Sequence, residues 1–163
     1  MKTLTLVRHA SSNLKNPESD DFTRTLNKRG EQDAPMMGKR LAKNGTIPDQ
    51  LITSPAVRAY QTAMIFAEEI GYDEEKIENS FNLYEAGVSE LIEIIRQNDD
   101  KHHHVMMVGH NPGFHDLGCH LTNVKVDSMP PCSVFSIAFD VDSWQDVSEG
   151  NGRLLSFDYP GKQ

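Results

Sequence analysis

The sequence predicts an α/β fold: a three-layer sandwich in which a mostly parallel sheet lies between helices on both faces, with an antiparallel hairpin at its C-terminal end. Three observations predict it. Short apolar runs with β-branched residues alternate with segments whose apolar residues recur at helical spacing. One run, Val105 to Val108, is apolar throughout, as strands covered on both faces of a parallel sheet are. Cap residues, prolines and glycines punctuate the junctions. At 163 residues the chain reads as one domain over 1–163, long enough to bury about two thirds of its unfolded surface without disulfides or metals.

The elements follow in order. Leu4 to Val7 is a buried strand ending at Arg8-His9. Residues 10 to 25 are polar and read as a long loop, a length often kept for function. Asn27 caps a helix that runs to about Lys43, with Ala34, Met37 and Leu41 on one face and Asn44-Gly45 as its stop. Pro35 inside it predicts a kink or a late start. Leu51 to Thr53 is a second strand. Ser54-Pro55 reads as a cap followed by proline at the first helical position, and Ala59, Ala63, Phe66, Ala67 and Ile70 form the stripe of the next helix, stopped by Gly71. Ile77 to Asn79 is a short strand, and Val88, Leu91, Ile92 and Ile95 mark another helix. After Val105–Val108, the run Gly109-His110-Asn111-Pro112-Gly113 repeats the cap-then-proline pattern, with Phe114, Leu117 and Leu121 as the stripe behind it. Val134–Phe139 and Arg153–Phe157 pair as a hairpin across an acidic, turn-rich connection.

Composition excludes several functions. Hydrophobic residues make up 37% and charged residues 25%, outside the disordered range. Sixteen Lys and Arg against 24 Asp and Glu leave a formal charge of -8. Nucleic acid and anionic membranes, which need a basic face, are therefore not expected partners. Cys119 and Cys132 make neither a disulfide framework nor a zinc motif. The apolar N-terminal run is too short for a signal peptide, and none approaches the ~18 residues of a membrane span. The expected location is the cytoplasm.

In parallel sheets ligands bind beyond the carboxyl ends of the strands. There this acidic chain places Arg8 and His9, then Ser54 and Arg58, then His110. Two of these strand ends also open helices, whose free N–H groups favour an anion. The set describes a pocket for a small oxyanion, with phosphate the leading candidate because guanidinium forks match its oxygens. A neutral His9, kept so by its cationic neighbours, can attack phosphorus in line. Arg8, Arg58 and His110 would hold the charge spread over the equatorial oxygens. No cofactor or metal is called for. Glu85 is the one carboxylate near a suitable strand-to-helix junction, and so the candidate acid for an alkoxide leaving group.

Arg8-His9-Ala10, the stretch Ser54 to Thr62, and Gly109-His110-Asn111 resemble, in order, the three motifs of the histidine phosphatase superfamily, which has the phosphoglycerate mutase-like fold. The likeness is closest to SixA-like phosphohistidine phosphatases, where Arg-His-Ala is common and a stretch such as Arg24 to Gly30 precedes the first helix. It implies His9 as the phosphorylated nucleophile, Arg8, Arg58 and His110 as the phosphate pocket, and Arg24 at its mouth. Ser12 joins Arg24 as a substrate-binding candidate, although a turn role competes. Glu85 falls near the place where larger members carry an acid that SixA-like ones often lack. Leu14 and Lys15 stand where mutases carry Trp and Asn, which speaks against a mutase.

The expected function is hydrolysis of phosphohistidine on a phosphotransfer or signalling protein. A small-molecule phosphomonoesterase on the same site and a non-catalytic phosphoprotein-binding module are the alternatives. The partner is accordingly a phosphorylated protein or a small phosphorylated substrate, and the oligomeric state is left open. His102, His103 and His104 read as solvated rather than as metal ligands, because strand alternation splits their faces.

Overall fold

A computed structural model describes residues 1–14 and 20–162. The middle of the predicted 10–25 loop, Lys15 included, lies outside the described residues. Six strands form one sheet: β1 (Lys2–Arg8), β2 (Gln50–Thr53), β3 (Glu78–Asn79), β4 (His104–Gly109), β5 (Val134–Phe139) and β6 (Gly152–Asp158). The spatial order is β3-β2-β4-β1-β5-β6. The first four in that order run parallel, and β5 and β6 add the antiparallel edge. This is the predicted phosphoglycerate mutase-like arrangement.

Four helices cover the sheet: α1 (Lys28–Lys43), α2 (Val57–Ile70), α3 (Val88–Arg96) and α4 (Gly113–Thr122). Side chains of a strand alternate between faces, and β4 displays this on both. Val105 and Met107 join Leu91, Ile95, Phe114 and Leu117 in the core under α3 and α4. Met106 and Val108 join Met37, Leu41, Ala63 and Phe66 in the core under α1 and α2. All four β4 residues are buried, which is why that stretch reads as continuously apolar. Among the described residues no helix is long and apolar enough to cross a membrane.

Three local expectations need correction. First, α1 starts at Lys28, with the Asn27 side chain accepting from Gly30 N at 2.9 Å, and continues through Pro35. Glu31, whose carbonyl loses its donor to the proline, is exposed, so water can take the missing bond. Gly30 thus belongs to the first turn of α1. A Cβ there would sit 2.1 Å from the Ser11 carbonyl oxygen, so only glycine admits this approach of helix to loop. Second, Ser54 does not cap α2: that helix begins at Val57 behind Ala56, with no side-chain cap. Third, Pro112 precedes α4 as its N-cap, and Gly113 begins the helix. In both cases the motif residues are held outside the helix, where they serve the site described next.

Candidate active site

Strand register builds the site. β1 and β4 pair with Arg8 opposite Gly109, so the next residues, His9 and His110, emerge side by side. His9 N donates to the Gly109 carbonyl at 3.0 Å, and the two rings lie 5.2 Å apart. On the other side of β4, Thr53 is opposite Val108, and Ser54 N donates to the Val108 carbonyl at 2.9 Å. That sets Ser54 beside His110 and Arg58 in the first turn of α2 above them. Arg8, His9, Ser12, Arg24, Arg58 and His110 line one cleft of about 270 Å³ at the carboxyl ends of the strands.

His9 is 7% exposed. Its Nδ1 lies 2.8 Å from the Ala10 carbonyl oxygen. A carbonyl only accepts, so Nδ1 carries the proton and the neutral ring keeps its lone pair on Nε2. Burial, reinforced by His110, Arg58 and Arg8, lowers the His9 pKa to about 3. The ring is therefore neutral at physiological pH, as a nucleophile must be. Its carrier loop is held by the Thr62 hydroxyl, which accepts from Ala10 N at 3.0 Å and donates to the Arg58 carbonyl at 2.8 Å.

Arg8 and Arg58 of the cleft are both anchored, and each keeps one buried donor without a described partner. Arg8 Nη1 donates to the Met129 carbonyl at 2.9 Å. Arg58, 4% exposed, donates from Nη1 to the Asp21 carbonyl at 2.7 Å and from Nη2 to the Asp21 carboxylate at 3.2 Å. The Nε atoms of both are buried and make no hydrogen bond to any described residue. Unmatched buried donors are uncommon and costly, and both belong to side chains that line the cleft.

His110 is more constrained than expected. Its Nδ1 lies 3.5 Å from Arg58 Nη2, which can only donate, so the Nε2 proton points to Ser54 Oγ at 2.8 Å. Burial and then Arg58 lower its pKa to about 4, against an opposing pull from Asp21. Donation from His110 to an oxyanion therefore takes a second proton, which an arriving anion would favour.

Sequence reasoning missed Asp21 and the part played by Tyr84. The Asp21 carboxylate accepts from Arg58, from Arg24 Nε at 3.0 Å and from the Tyr84 hydroxyl at 2.6 Å. The Tyr84 hydroxyl, then Arg58 and Arg24, hold Asp21 down to about 2, although burial opposes them. Burial and this bond push Tyr84 up to about 12. Arg24 also donates to the Asn13 carbonyl at 2.8 Å and lines the cleft. Asp21 had one signal, an acid three residues before Arg24; nothing in the sequence placed Tyr84 against it.

Glu85 is not brought to the cleft. It is exposed, in a left-handed conformation with φ of 57°, and lines a neighbouring groove instead. The described residues lining the His9 cleft include no carboxylate.

Comparison with known proteins places this geometry in a family. The sequence model of the histidine phosphatase superfamily, branch 1, matches residues 4–90, more than half of the chain. The mitochondrial serine/threonine-protein phosphatase Pgam5 of Drosophila ananassae is 44% identical over 80 residues, which cover 49% of this chain and 27% of that protein. Its Drosophila melanogaster counterpart is 39% identical over 74 residues, 45% of this chain and 25% of that one. The match thus spans about a quarter of these relatives' length. Among solved structures, a candidate phosphohistidine phosphatase SixA from Agrobacterium tumefaciens superposes with a TM-score of 0.82 at 22% identity, over 98% of this chain and 99% of that one. The protein histidine phosphatase SixA complexed with tungstate does so at 0.80 and 18% identity, over 95% of each. With its family model matched and its fold shared along nearly the whole length, the chain belongs to the histidine phosphatase superfamily.

Proposed function

We propose that the protein is a phosphatase that takes the phosphoryl group of a phosphohistidine on a phosphotransfer or signalling protein onto His9 Nε2 and then passes it to water. The observation that carries this reading is the fixed tautomer of His9: Nδ1–H bound to the Ala10 carbonyl leaves Nε2 free among three cationic or polar groups. In the first step the N–P bond of the substrate breaks as the Nε2–P bond forms, and the leaving ring, whose other nitrogen already carries a proton from solvent, departs with the electron pair as neutral imidazole. In the second step water attacks phosphorus, His9 leaves with its lone pair, and orthophosphate is released. The arginines neutralise the phosphoryl oxygens in both steps, Arg8 and Arg58 both lining the cleft beside His9.

The leaving group decides between substrates. An alkoxide needs a proton from a positioned acid, whereas imidazole, far less basic, does not. Among the described residues the carboxylate at the cleft arginines, Asp21, is ionised and bound by three donors, and Glu85 is outside the cleft. This favours phosphohistidine over the phosphoserine and phosphothreonine esters that the name of the Pgam5 relatives points to, and over small phosphomonoesters. The tungstate held by a SixA relative is a tetrahedral oxyanion of the type this pocket would take.

The test is transfer and turnover with a polypeptide phosphorylated on histidine by phosphoramidate. A quench in alkali, where phosphoramidates survive, is expected to trap label on His9, and His9→Ala neither to label nor to turn over. Rapid hydrolysis of p-nitrophenyl phosphate with no hydrolysis of the phosphohistidine polypeptide would move the assignment to a phosphomonoesterase. Binding of the polypeptide without label or release of phosphate would make the protein a binding module.

A further inference from the structure

Beside the His9 cleft lies a wider groove of about 460 Å³, lined among others by Phe81, Tyr84, Glu85, Glu90, Glu93 and Ile94. The two are joined by aromatic rings. Tyr84 meets His110 edge-on at 5.4 Å, Phe22 meets Tyr84 edge-on at 5.4 Å, and Phe81 stacks on Phe22 at 5.7 Å with 6° between planes. Phe81, the outermost, is 71% exposed. Starting from the His9–His110 pair at 5.2 Å, a shelf of rings therefore runs from the reacting nitrogen to open solvent. An exposed stacked aromatic at the mouth of a site is costly unless something covers it in use.

Charge along the shelf changes sign. Among the described residues lining the His9 cleft the formally charged ones are Arg8, Arg24 and Arg58, with Asp21 bound behind the last two. Every formally charged side chain lining the groove is a carboxylate: Glu85, Glu90 and Glu93. The acidity continues past Ile94 to Glu78 and Asp99. A small, wholly anionic phosphoester would be attracted by the cleft and repelled by the groove. A phosphorylated imidazole or a phenyl phosphate reaches only the inner rings, so Phe81 can be touched only by a longer body.

We propose that the Phe22–Phe81 shelf and the groove of Glu85, Glu90 and Glu93 are the docking surface for the polypeptide that carries the phosphoryl group, and that the docked segment is basic and apolar, with Lys or Arg against the carboxylates and an apolar side chain on Phe81. The proposal rests on the phosphohistidine reading above and adds to it the kind of segment in which that residue sits. Complementary charge speeds encounter and excludes wrong partners, and a cation over an exposed ring adds to the contact.

The experiment uses two synthetic peptides of equal length, each with one phosphohistidine, one flanked by Lys and Leu and the other by Glu and Ser, with p-nitrophenyl phosphate as a small probe. The expected result is a kcat/KM about tenfold higher for the Lys/Leu peptide at low salt, carried by KM and shrinking as salt screens the groove. Phe81→Ala and Glu93→Lys, both at exposed positions, are expected to erase most of that preference and to leave p-nitrophenyl phosphate turnover unchanged. Equal kcat/KM for the two peptides, a preference for the Glu/Ser peptide, or losses in Phe81→Ala that are the same on peptide and small probe would each overturn the proposal while leaving the phosphohistidine reading intact. Failure of the wild type to hydrolyse either peptide would strike that reading instead.

Discussion

The two ends of β1 each carry a cation, and only one of the two is saturated. At the amino end Lys2, 2% exposed, donates from Nζ to the carbonyls of Asp100 and His102 and lies 5.8 Å from the centre of the Trp144 ring. On the next strand His104, also at the amino end, is paired with the Thr5 hydroxyl at 2.7 Å, so it is not the solvated residue its run of histidines implied. About 20 Å away along the strand, the half-buried Arg8, and beside it the buried Arg58 of α2, keep Nε–H groups without a described partner. His9 there keeps a lone pair. A buried cation whose donors are all matched contributes to the fold. One whose donors are unmatched is a cost to the fold that makes sense if a ligand matches them. The same strand thus carries a structural end and a reactive end, and what separates them is hydrogen-bond satisfaction rather than residue type.

The largest expected effect tests the reactive end directly. His9→Ala should abolish turnover of any phosphorylated substrate, measured as phosphate release, because it removes the Nε2 lone pair that attacks phosphorus. Next, Arg58→Ala should lower kcat/KM by about 3 kcal/mol of transition-state stabilisation, on the order of a hundredfold.

Paired substitutions at the two ends of β1 sharpen the contrast. Lys2→Ala is expected to cost about 2 kcal/mol of stability in denaturant unfolding, through lost packing and two lost hydrogen bonds, while kcat/KM stays within about twofold. Arg8→Ala is expected to do the reverse: a smaller loss of stability and a drop in kcat/KM of about a hundredfold. The division of the strand fails if Arg8→Ala unfolds the protein as readily as Lys2→Ala yet keeps turnover.

A smaller effect follows from pH. His9 and His110 have folded pKa values of about 3 and about 4, well below the ordinary 6.5. Between pH 6.5 and 4 the unfolded chain therefore binds protons that the folded chain refuses. Their contribution to stability is complete above pH 6.5 and is lost as pH falls through that window. The Tm of His110→Gln should fall less than that of the wild type between pH 7 and 5, and added tungstate should flatten the wild-type curve. Smallest of all, Asp21→Asn should loosen Arg58 and Arg24 and lower kcat/KM about tenfold, with Tyr84→Phe about threefold, since each removes hydrogen bonds to the positioning carboxylate rather than to the phosphoryl group.

Local pattern was enough to read β1, β4 and the α2 stripe, because burial on a fixed period leaves a linear trace: Ala59, Ala63, Phe66, Ala67 and Ile70 are all buried. Arg8, His9, Arg58 and His110 were legible because they follow strand ends in a parallel sheet, and their spacing matches three motifs in order. The helix starts after Ser54 and at Pro112 were misread because cap chemistry looks the same whether a residue begins a helix or stands before it to hold a neighbour, as Ser54 holds His110.

What the sequence determined by itself was the class of fold and the candidates for the reactive groups, since periodicity and residue chemistry are properties of the chain taken locally. Only the tertiary structure decided that Asp21 bridges Arg58, Arg24 and Tyr84, that Glu85 faces a separate groove, and which nitrogen of His9 is free. Those outcomes depend on through-space partners, the Ala10 carbonyl among them, and hydrogen bonding across the fold leaves no period along the sequence.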